Sequence, residues 1–416
     1  MIRKKRILFI LPGPLWEIKD SLRKRMERLS ERYCGEIVTS MPESGRIRIG
    51  DFTLTALGYR RGRKLLMNLK FLLHGIRMAL NARRGDGGWD LVVTYDPLRS
   101  GLIGLLIARL SGARFCPEVN GVYDSYANYL EGGSRLGLAF KRRLYPAIVR
   151  FTVSRADGVK TLFPAQLDGI LGVTPGKRRP LAESFFDYVD PEPFGDLGEE
   201  KVVLFVGFPF RLKGVDLLIE AFKAVSPRHP EWRLKILGWF PDPRELNRAM
   251  GGHPRISHHP PVYSHEMPQH IGRCGIFVLP SRTEAMGRVL LEAMACAKPR
   301  IGSRLEGIPT VIEDGVDGLL FRPGDAGDLA LKLDRLMGDA ELRKSLGQAA
   351  RARGFREFGP ETYFHRLLDF YGRVLGDDQN ASFSIAGTAP AAAALASAGE
   401  PAMAMNQEGR SHGPAT

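Results

Sequence analysis

Two glutamates and two cations, each in a distinctive setting, carry the chemistry that can be read from this chain. In Pro280–Ser303 (PSRTEAMGRVLLEAMACAKPRIGS) a buried apolar run ends at Pro280-Ser281, a loop with Glu284 and Gly287 follows, and helical periodicity begins near Arg288. Glu292 falls eight positions after Glu284, in the second turn of that helix. One carboxylate is thus placed on a loop at a strand's carboxyl end, and the other projects from the helix just behind it. In open α/β sheets that edge is where ligands bind. The helix N-terminus offers unpaired N–H groups and the positive end of a dipole, which suits an anion. Gly287 lets the backbone come close to such a ligand, and carboxylates here are good bidentate acceptors for the vicinal hydroxyls of a ribose or hexose. In a second segment, Val203–Phe222 (VLFVGFPFRLKGVDLLIEAF), a strand ends at Gly207, a short loop carries Arg211 and Lys213, and Gly214 opens an amphipathic helix. Two cations at a helix N-terminus make a cradle for a diphosphate.

The first segment resembles the E-x7-E signature of the retaining glycosyltransferases of family 4, which have the GT-B fold. The likeness continues through EGIPTVIEDGVDGLLFRPGD at Glu306–Asp325. The second resembles that family's GRL…KG loop, with Lys213 on the family lysine. The family arginine directly follows the glycine, where this chain has Phe208, and Arg211 is the expected substitute. The resemblance implies that Glu284 contacts the transferred sugar and Glu292 holds the donor ribose. Gly207 and the backbone at Met286, Gly287, Arg288 and Val289 would face sugar and phosphate, and Val262 would lie near the base. Arg211, Lys213 and Glu284 would then be the catalytic set, acting on a nucleotide-diphosphate sugar that is substrate rather than cofactor. Helix amides and the two cations can stabilise the departing diphosphate, and no Asp-x-Asp metal motif is present, so metal-independent hexosyl transfer is expected. By resemblance the anomeric configuration is retained, and with no carboxylate obviously placed as a nucleophile, a same-face displacement is expected. The alternatives are a GT-B nucleotide-sugar epimerase or phosphorylase and, given Phe208 and Asn120, a non-catalytic sugar-nucleotide-binding protein.

Asp90–Tyr126 reads as strand, loop, helix, strand, loop, and resembles the family's N-terminal domain. Its EVNGVY places Asn120 where many members carry a histidine over the cleft. Asparagine can hydrogen-bond a hydroxyl but cannot titrate. Asp96 and Asp124 read as loop or capping residues. Gly13, in Pro12-Gly13-Pro14, matches the family's loop facing phosphate or acceptor. The stretch Arg60–Arg84 has eight basic residues (Arg60, Arg61, Arg63, Lys64, Lys70, Arg77, Arg83, Arg84), no acid, and an apolar face including Leu65, Leu66, Leu69, Leu72, Leu73 and Ile76. It reads either as a helix on an anionic membrane surface, where a lipid-linked acceptor would reside, or as a sheet-packing helix with a basic outer side. A glycan or lipid-linked acceptor is the expected second partner.

These residues need parallel sheets to hold them, and the chain supplies the pattern. Short apolar runs (Ile7–Leu11, Leu91–Thr94, Val202–Val206, Gly275–Leu279) alternate with longer helical stretches, as in βαβ units. The expected fold is α/β, with two Rossmann-like doubly wound domains facing across a cleft. Residues 1–185 form the acceptor domain, 186–200 a linker rich in Asp, Pro and Gly, 201–358 the donor domain and 359–376 a closing helix. Residues 377–416, dominated by Ala, Ser, Gly and Pro, are expected to be a disordered tail. The 416 residues carry 60 Lys and Arg against 46 Asp and Glu, a net +14 that suggests an anionic partner. No nucleic-acid module accompanies it, so nucleic acid is not expected. Of the four scattered cysteines, Cys116 and Cys274 sit beside apolar runs and read as buried thiols of a reducing compartment. The basic-apolar N-terminus stops at Pro12 without a cleavage site, and no stretch reaches the ~18 apolar residues of a span. A cytoplasmic protein, peripheral at the inner membrane face, is expected.

Overall fold

The computed structural model describes residues 3–59, 64–84, 88–123, 135–172, 179–240 and 242–377. The first half runs β1 (Lys5–Ile10), α1 (Asp20–Leu29), β2 (Tyr33–Met41), β3 (Gly45–Ile49), β4 (Phe52–Gly58), α2 (Lys64–Arg84), β5 (Leu91–Thr94), α3 (Arg99–Ser111), β6 (Arg114–Pro117), α4 (Arg135–Val153), β7 (Gly158–Thr161), α5 (Ala165–Leu171) and β8 (Leu181–Ser184). The second runs β9 (Val202–Val206), α6 (Val215–Val225), β10 (Arg233–Leu237), α7 (Pro243–Met250), β11 (Ile256–His259), α8 (Met267–Arg273), β12 (Ile276–Leu279), α9 (Arg288–Ala295), β13 (Arg300–Ser303), α10 (Ile308–Val311), β14 (Leu319–Phe321), α11 (Ala326–Gly338), α12 (Ala340–Glu357) and α13 (Pro360–Leu375).

The first sheet has the order β3-β4-β2-β1-β5-β6 and the second β11-β10-β9-β12-β13-β14. Every pairing is parallel except β3 with β4. A parallel bridge from Glu118 to Lys160 sets the β7–β8 pair beside β6. Central strands covered on both faces must be apolar throughout, and Ile7, Leu8, Phe9 and Ile10, like Ile276, Phe277, Val278 and Leu279, are all buried. Each such side chain contributes about 1.5–3 kcal/mol by leaving water. The expected pair of parallel α/β sheets is therefore present.

The two faces of the first sheet are covered differently. α2, α3 and α4 pack Phe71, Ile103, Ile107, Val149 and Val153 on one side. The other side receives α1 and, from the far end of the chain, α13, whose Tyr363, Leu367, Phe370, Tyr371 and Val374 join Phe9, Phe52 and Leu91. Polar contacts fix that return. Buried Arg25 forms a two-pronged pair with Glu118, and Tyr371 donates its hydroxyl to Glu118 at 2.8 Å while accepting from Arg25 at 2.8 Å. Burial opposes ionisation of Glu118, yet Arg25 and Lys160 keep its carboxyl below the usual range.

The stretch expected to be a linker has no regular structure after β8, but it is anchored. Phe185 and Tyr188 sit in the first core, and Phe186 and Val189 in the second. The β3–β4 hairpin, turning at Gly50-Asp51, was not foreseen: Arg46 and Arg48 interrupt the apolar signal of an edge strand. Cys116, Cys274 and Cys296 are buried free thiols. Among the described residues no helix is long and apolar enough to cross a membrane. The expectations on Arg60, Arg61, Arg63, Asp124 and the tail from residue 378 lie outside the described residues.

Candidate functional site

Four loops meet at the carboxyl edge of the second sheet. The loop after β9 holds Arg211 and Lys213, and the loop after β12 holds Ser281 to Gly287. Gly214 starts α6 in the left-handed region (φ 66°), and a Cβ there would lie 1.9 Å from the Pro280 carbonyl oxygen. Only glycine lets the loops touch this closely. Arg282 completes the stitch: its backbone N–H donates to the Leu212 carbonyl at 2.9 Å, and its guanidinium reaches the Arg211 carbonyl at 2.6 Å and both carboxylate oxygens of Asp216 at 2.7 and 2.8 Å.

That contact brings Lys213 and Glu284 together. Lys213 Nζ lies 2.5 Å from Glu284 Oε2, with side-chain exposures of 20% and 13%. Ser281 Oγ and the Met286 N–H approach the same carboxylate, each at 3.5 Å. The Gly207 N–H donates to the Leu237 carbonyl at 3.0 Å, which holds the first loop at the end of β10. Gly287, again left-handed (φ 71°), begins α9 without a side-chain acceptor, so the first amides of α9, at Arg288 and Val289, have no side-chain cap among the described residues. Met286, Val289 and Val262 pack partly buried against the core beneath.

Glu292 lies one turn inside α9. Its side chain is 16% exposed, with the carboxylate 3.7 Å from Arg288 Nε, and Arg288 also reaches Asp187 on the segment between the sheets at 3.4 Å. Burial pushes the Glu292 carboxyl up from its ordinary value, against the pull of Arg288. Arg211 Nε donates to Glu245 on α7 at 2.5 Å, on a half-exposed side chain. Phe208, in the place of the family arginine, lies against Trp239 with ring centroids 5.1 Å apart.

On the first sheet, Gly13 lies against Ser40 at the end of β2. Asn120 donates through Nδ2 to the Tyr95 carbonyl at 3.1 Å. Asp96 accepts from the Leu98 N–H at 2.9 Å in the turn before α3, a loop role rather than a helix cap. A cavity of about 360 Å³ opens beside these loops, lined by Gly121, Val122, Tyr123, Phe163, Gln166 and others, and by Glu306 from the second sheet.

Three site residues escaped the sequence reading. Arg282 and Thr283 stood inside the quoted motif without a role. Glu306, after β13, sends its carboxylate to the Thr283 hydroxyl at 2.9 and 2.8 Å and to the Glu284 N–H. Its position at the end of a neighbouring parallel strand was the available signal, since all such ends share one edge.

The pattern of the family described as glycosyl transferases group 1 matches residues 190–353. A D-inositol 3-phosphate glycosyltransferase from Arthrobacter sp. (strain FB24) is 36% identical over 304 residues, 66% of this chain and 69% of that protein. The sulfoquinovosyl transferase SQD2 of Arabidopsis thaliana is 35% identical over 156 residues, 37% of this chain, and the match spans only 30% of that longer protein. Among solved structures, sucrose-phosphate synthase from Thermosynechococcus elongatus superposes with a TM-score of 0.73 at 19% identity, covering 90% of this chain and all of that one. Anabaena HepE in complex with UDP and glucose gives 0.66 at 16%, covering 89% and 100%. These two likenesses establish the two-domain GT-B fold. Given the fold, the paired loops and the Arthrobacter relative, the chain belongs to the group 1 (family 4) glycosyltransferases, which transfer a sugar from a nucleotide sugar.

Proposed function

We propose that this enzyme is a retaining hexosyltransferase that needs no metal and passes a hexose from a nucleoside-diphosphate sugar to a hydroxyl of a glycan or lipid-linked acceptor, in the synthesis of cell-surface polysaccharide or glycolipid. The observation that carries the reading is the Lys213–Glu284 pair beside the uncapped start of α9. In the free enzyme Glu284 neutralises Lys213. When donor enters, the diphosphate takes over the ammonium and the amides of α9, and Glu284 turns to a sugar hydroxyl. Charge that grows on the diphosphate as the glycosidic bond breaks is met by groups already in place, and such preorganised stabilisation usually dominates catalysis of this kind. Glu292 receives the ribose hydroxyls one turn further in. The acceptor enters from the first sheet, past Gly13 and Asn120, and cleft closure excludes water. Arg211 exchanges Glu245 for the diphosphate in the loaded enzyme.

A UDP-hexose is the first donor to try, because the similarly folded HepE is held with UDP and glucose. In a thermal-shift panel of UDP-, GDP- and ADP-sugars, one donor is expected to raise Tm by several degrees at 100 times its Kd, where binding adds about 2.7 kcal/mol. NMR of the product should show the donor's anomeric configuration. Isomerised donor without acceptor would mark an epimerase, and binding without hydrolysis or transfer a non-catalytic protein.

The outer face of the first domain supports an anionic membrane as the acceptor's setting. None of α2, α3 and α4 contains Asp or Glu, and all three cover one face of the sheet. Their solvent sides expose Leu69 and Leu73, Leu102 and Leu106, and Phe140 and Phe151, among exposed Lys70, Arg77, Lys141 and Arg143. Apolar anchors on basic helices that carry no acid suit the interface of an anionic bilayer. The protein is expected to co-sediment with vesicles of about 30% phosphatidylglycerol in phosphatidylcholine and not with pure phosphatidylcholine. The bound fraction should fall at least fivefold for Phe140→Ala/Phe151→Ala and in about 0.5 M salt. Equal recovery with both vesicles would overturn the assignment.

A further inference from the structure

Glu306 is one of two non-glycine residues, with Ala297, that the described backbone holds at positive φ, here 48°. L-residues avoid that region, and departures persist where the surroundings enforce them. The surroundings of Glu306 are the Glu284 loop. Its carboxylate accepts the Thr283 hydroxyl and the Glu284 N–H. The next residue, Gly307, donates its N–H to the Glu284 carbonyl at 3.4 Å, and lies so close to this loop that a Cβ would fall 2.0 Å from the Ala285 carbonyl oxygen. The Glu284 residue is therefore gripped at both its backbone N–H and its carbonyl by consecutive residues of one turn. That turn has a firm base. Buried Arg300 on β13 pairs with Asp317 at 3.0 Å and donates to the Val311 carbonyl at 3.2 Å, and Arg353 on α12 reaches Asp317 at 2.8 Å and the Thr310 carbonyl at 2.7 Å.

We infer that Glu306 is a positioning residue for the transfer reaction: its carboxylate sets the direction of the Glu284 side chain, and through it the resting place of Lys213. The inference rests on the proposed role of Glu284. No proton or bond change at Glu306 is involved, and the residue acts by accepting two hydrogen bonds. The geometry explains why a carboxylate stands where glycine would sit without strain. Glycine can adopt the turn but cannot hold the Glu284 amide from this side. Glu306 is also the donor-domain residue in the wall of the 360 Å³ cavity, so the group that orients Glu284 borders the space on the acceptor side.

The test compares E306G, E306Q, E284Q and E306G/E284Q with the full-length wild type, using initial rates at saturating acceptor. For E306G, kcat is expected to fall about 100-fold, the scale of a 1 Å misplacement, with KM for donor within threefold and Tm unchanged or slightly raised by the relief at φ. E306Q keeps an oxygen acceptor and should recover kcat to within about fivefold of wild type. The double variant should be no slower than E284Q within a factor of two, because both changes act through one group. E306G within threefold of wild type, failure of E306Q to recover, or multiplicative losses in the double variant would each overturn the inference. Full activity of E284Q would instead defeat the proposed catalytic set, which separates the two failures.

Discussion

Lys213→Ala is expected to lower kcat by about 10²–10³, the 2.7–4 kcal/mol lost when one preorganised donor to a developing negative charge is removed. The ammonium is ion-paired with Glu284, and it stands where the loops after β9 and β12 meet. Its loss should be felt more in kcat than in donor KM, because the diphosphate gains charge as the bond to the sugar breaks. Stability is a separate matter. The pair is part-buried, so removing one member leaves the Glu284 carboxylate partly desolvated without its cation, at a cost between the about 0–1 kcal/mol of an exposed pair and the about 3–5 kcal/mol of a buried one. Tm is expected to change by no more than a few degrees. Lys213→Ala/Glu284→Gln, which removes both charges, should recover that change without recovering turnover. Steady-state rates with circular dichroism melts check both halves, and near-normal turnover in a folded Lys213→Ala protein would remove the proposed catalytic set.

Glu292→Gln is expected to weaken donor binding while making the protein more stable. A carboxylate hydrogen-bonded to ribose hydroxyls contributes about 1.5–3 kcal/mol, so donor KM should rise roughly 10- to 150-fold with a smaller change in kcat. The stability effect has the opposite sign. Burial raises the folded-state pKa of Glu292, so the folded state favours the protonated form. Its stabilising contribution is complete below the unfolded pKa and is lost as pH rises through the raised folded value. At neutral pH the ionised group opposes folding, and glutamine removes that cost. The variant should melt above wild type at pH 7 to 8, and the gap should close as pH falls toward the ordinary glutamate range. A variant less stable than wild type at pH 7.5 would contradict this sign. Such a trade is common where a binding site keeps a desolvated charge.

What the residues disclosed in advance follows the range of the forces involved. Parallel strands, the E-x7-E helix start and the cation loop are local patterns, so apolar runs and neighbouring glycines were enough to put Glu284 and Lys213 on loops after strands and Glu292 inside the following helix. The partner of Arg211 is decided by Glu245, on a helix that reaches the loop only after β10 is laid down. The clamp by Glu306 needs the turn after β13 to cross the loop after β12, a contact between segments 22 residues apart in sequence. The β3–β4 hairpin hid because an edge strand alternating Arg and Ile lacks the continuous apolar signature of its neighbours. The Asn120 partner, the Tyr95 carbonyl, could not be read from the chain because it is brought alongside by the pairing of β5 with β6.

The return of α13 to the opposite sheet has a consequence for birth on the ribosome. The domain whose strands are synthesised first lacks part of one wall, the part α1 does not supply, until α13 has emerged, because Tyr363, Phe370 and Tyr371 arrive more than 350 residues after Phe9. Until then Phe52 and Leu91 lie without the α13 part of their covering layer, and Glu118 faces Arg25 without the Tyr371 hydroxyl. Vectorial folding usually completes domains in the order of translation. Here the opening chapter is finished by the closing one, and a nascent chain stalled before Pro360 would present a sticky, half-built first domain to chaperones.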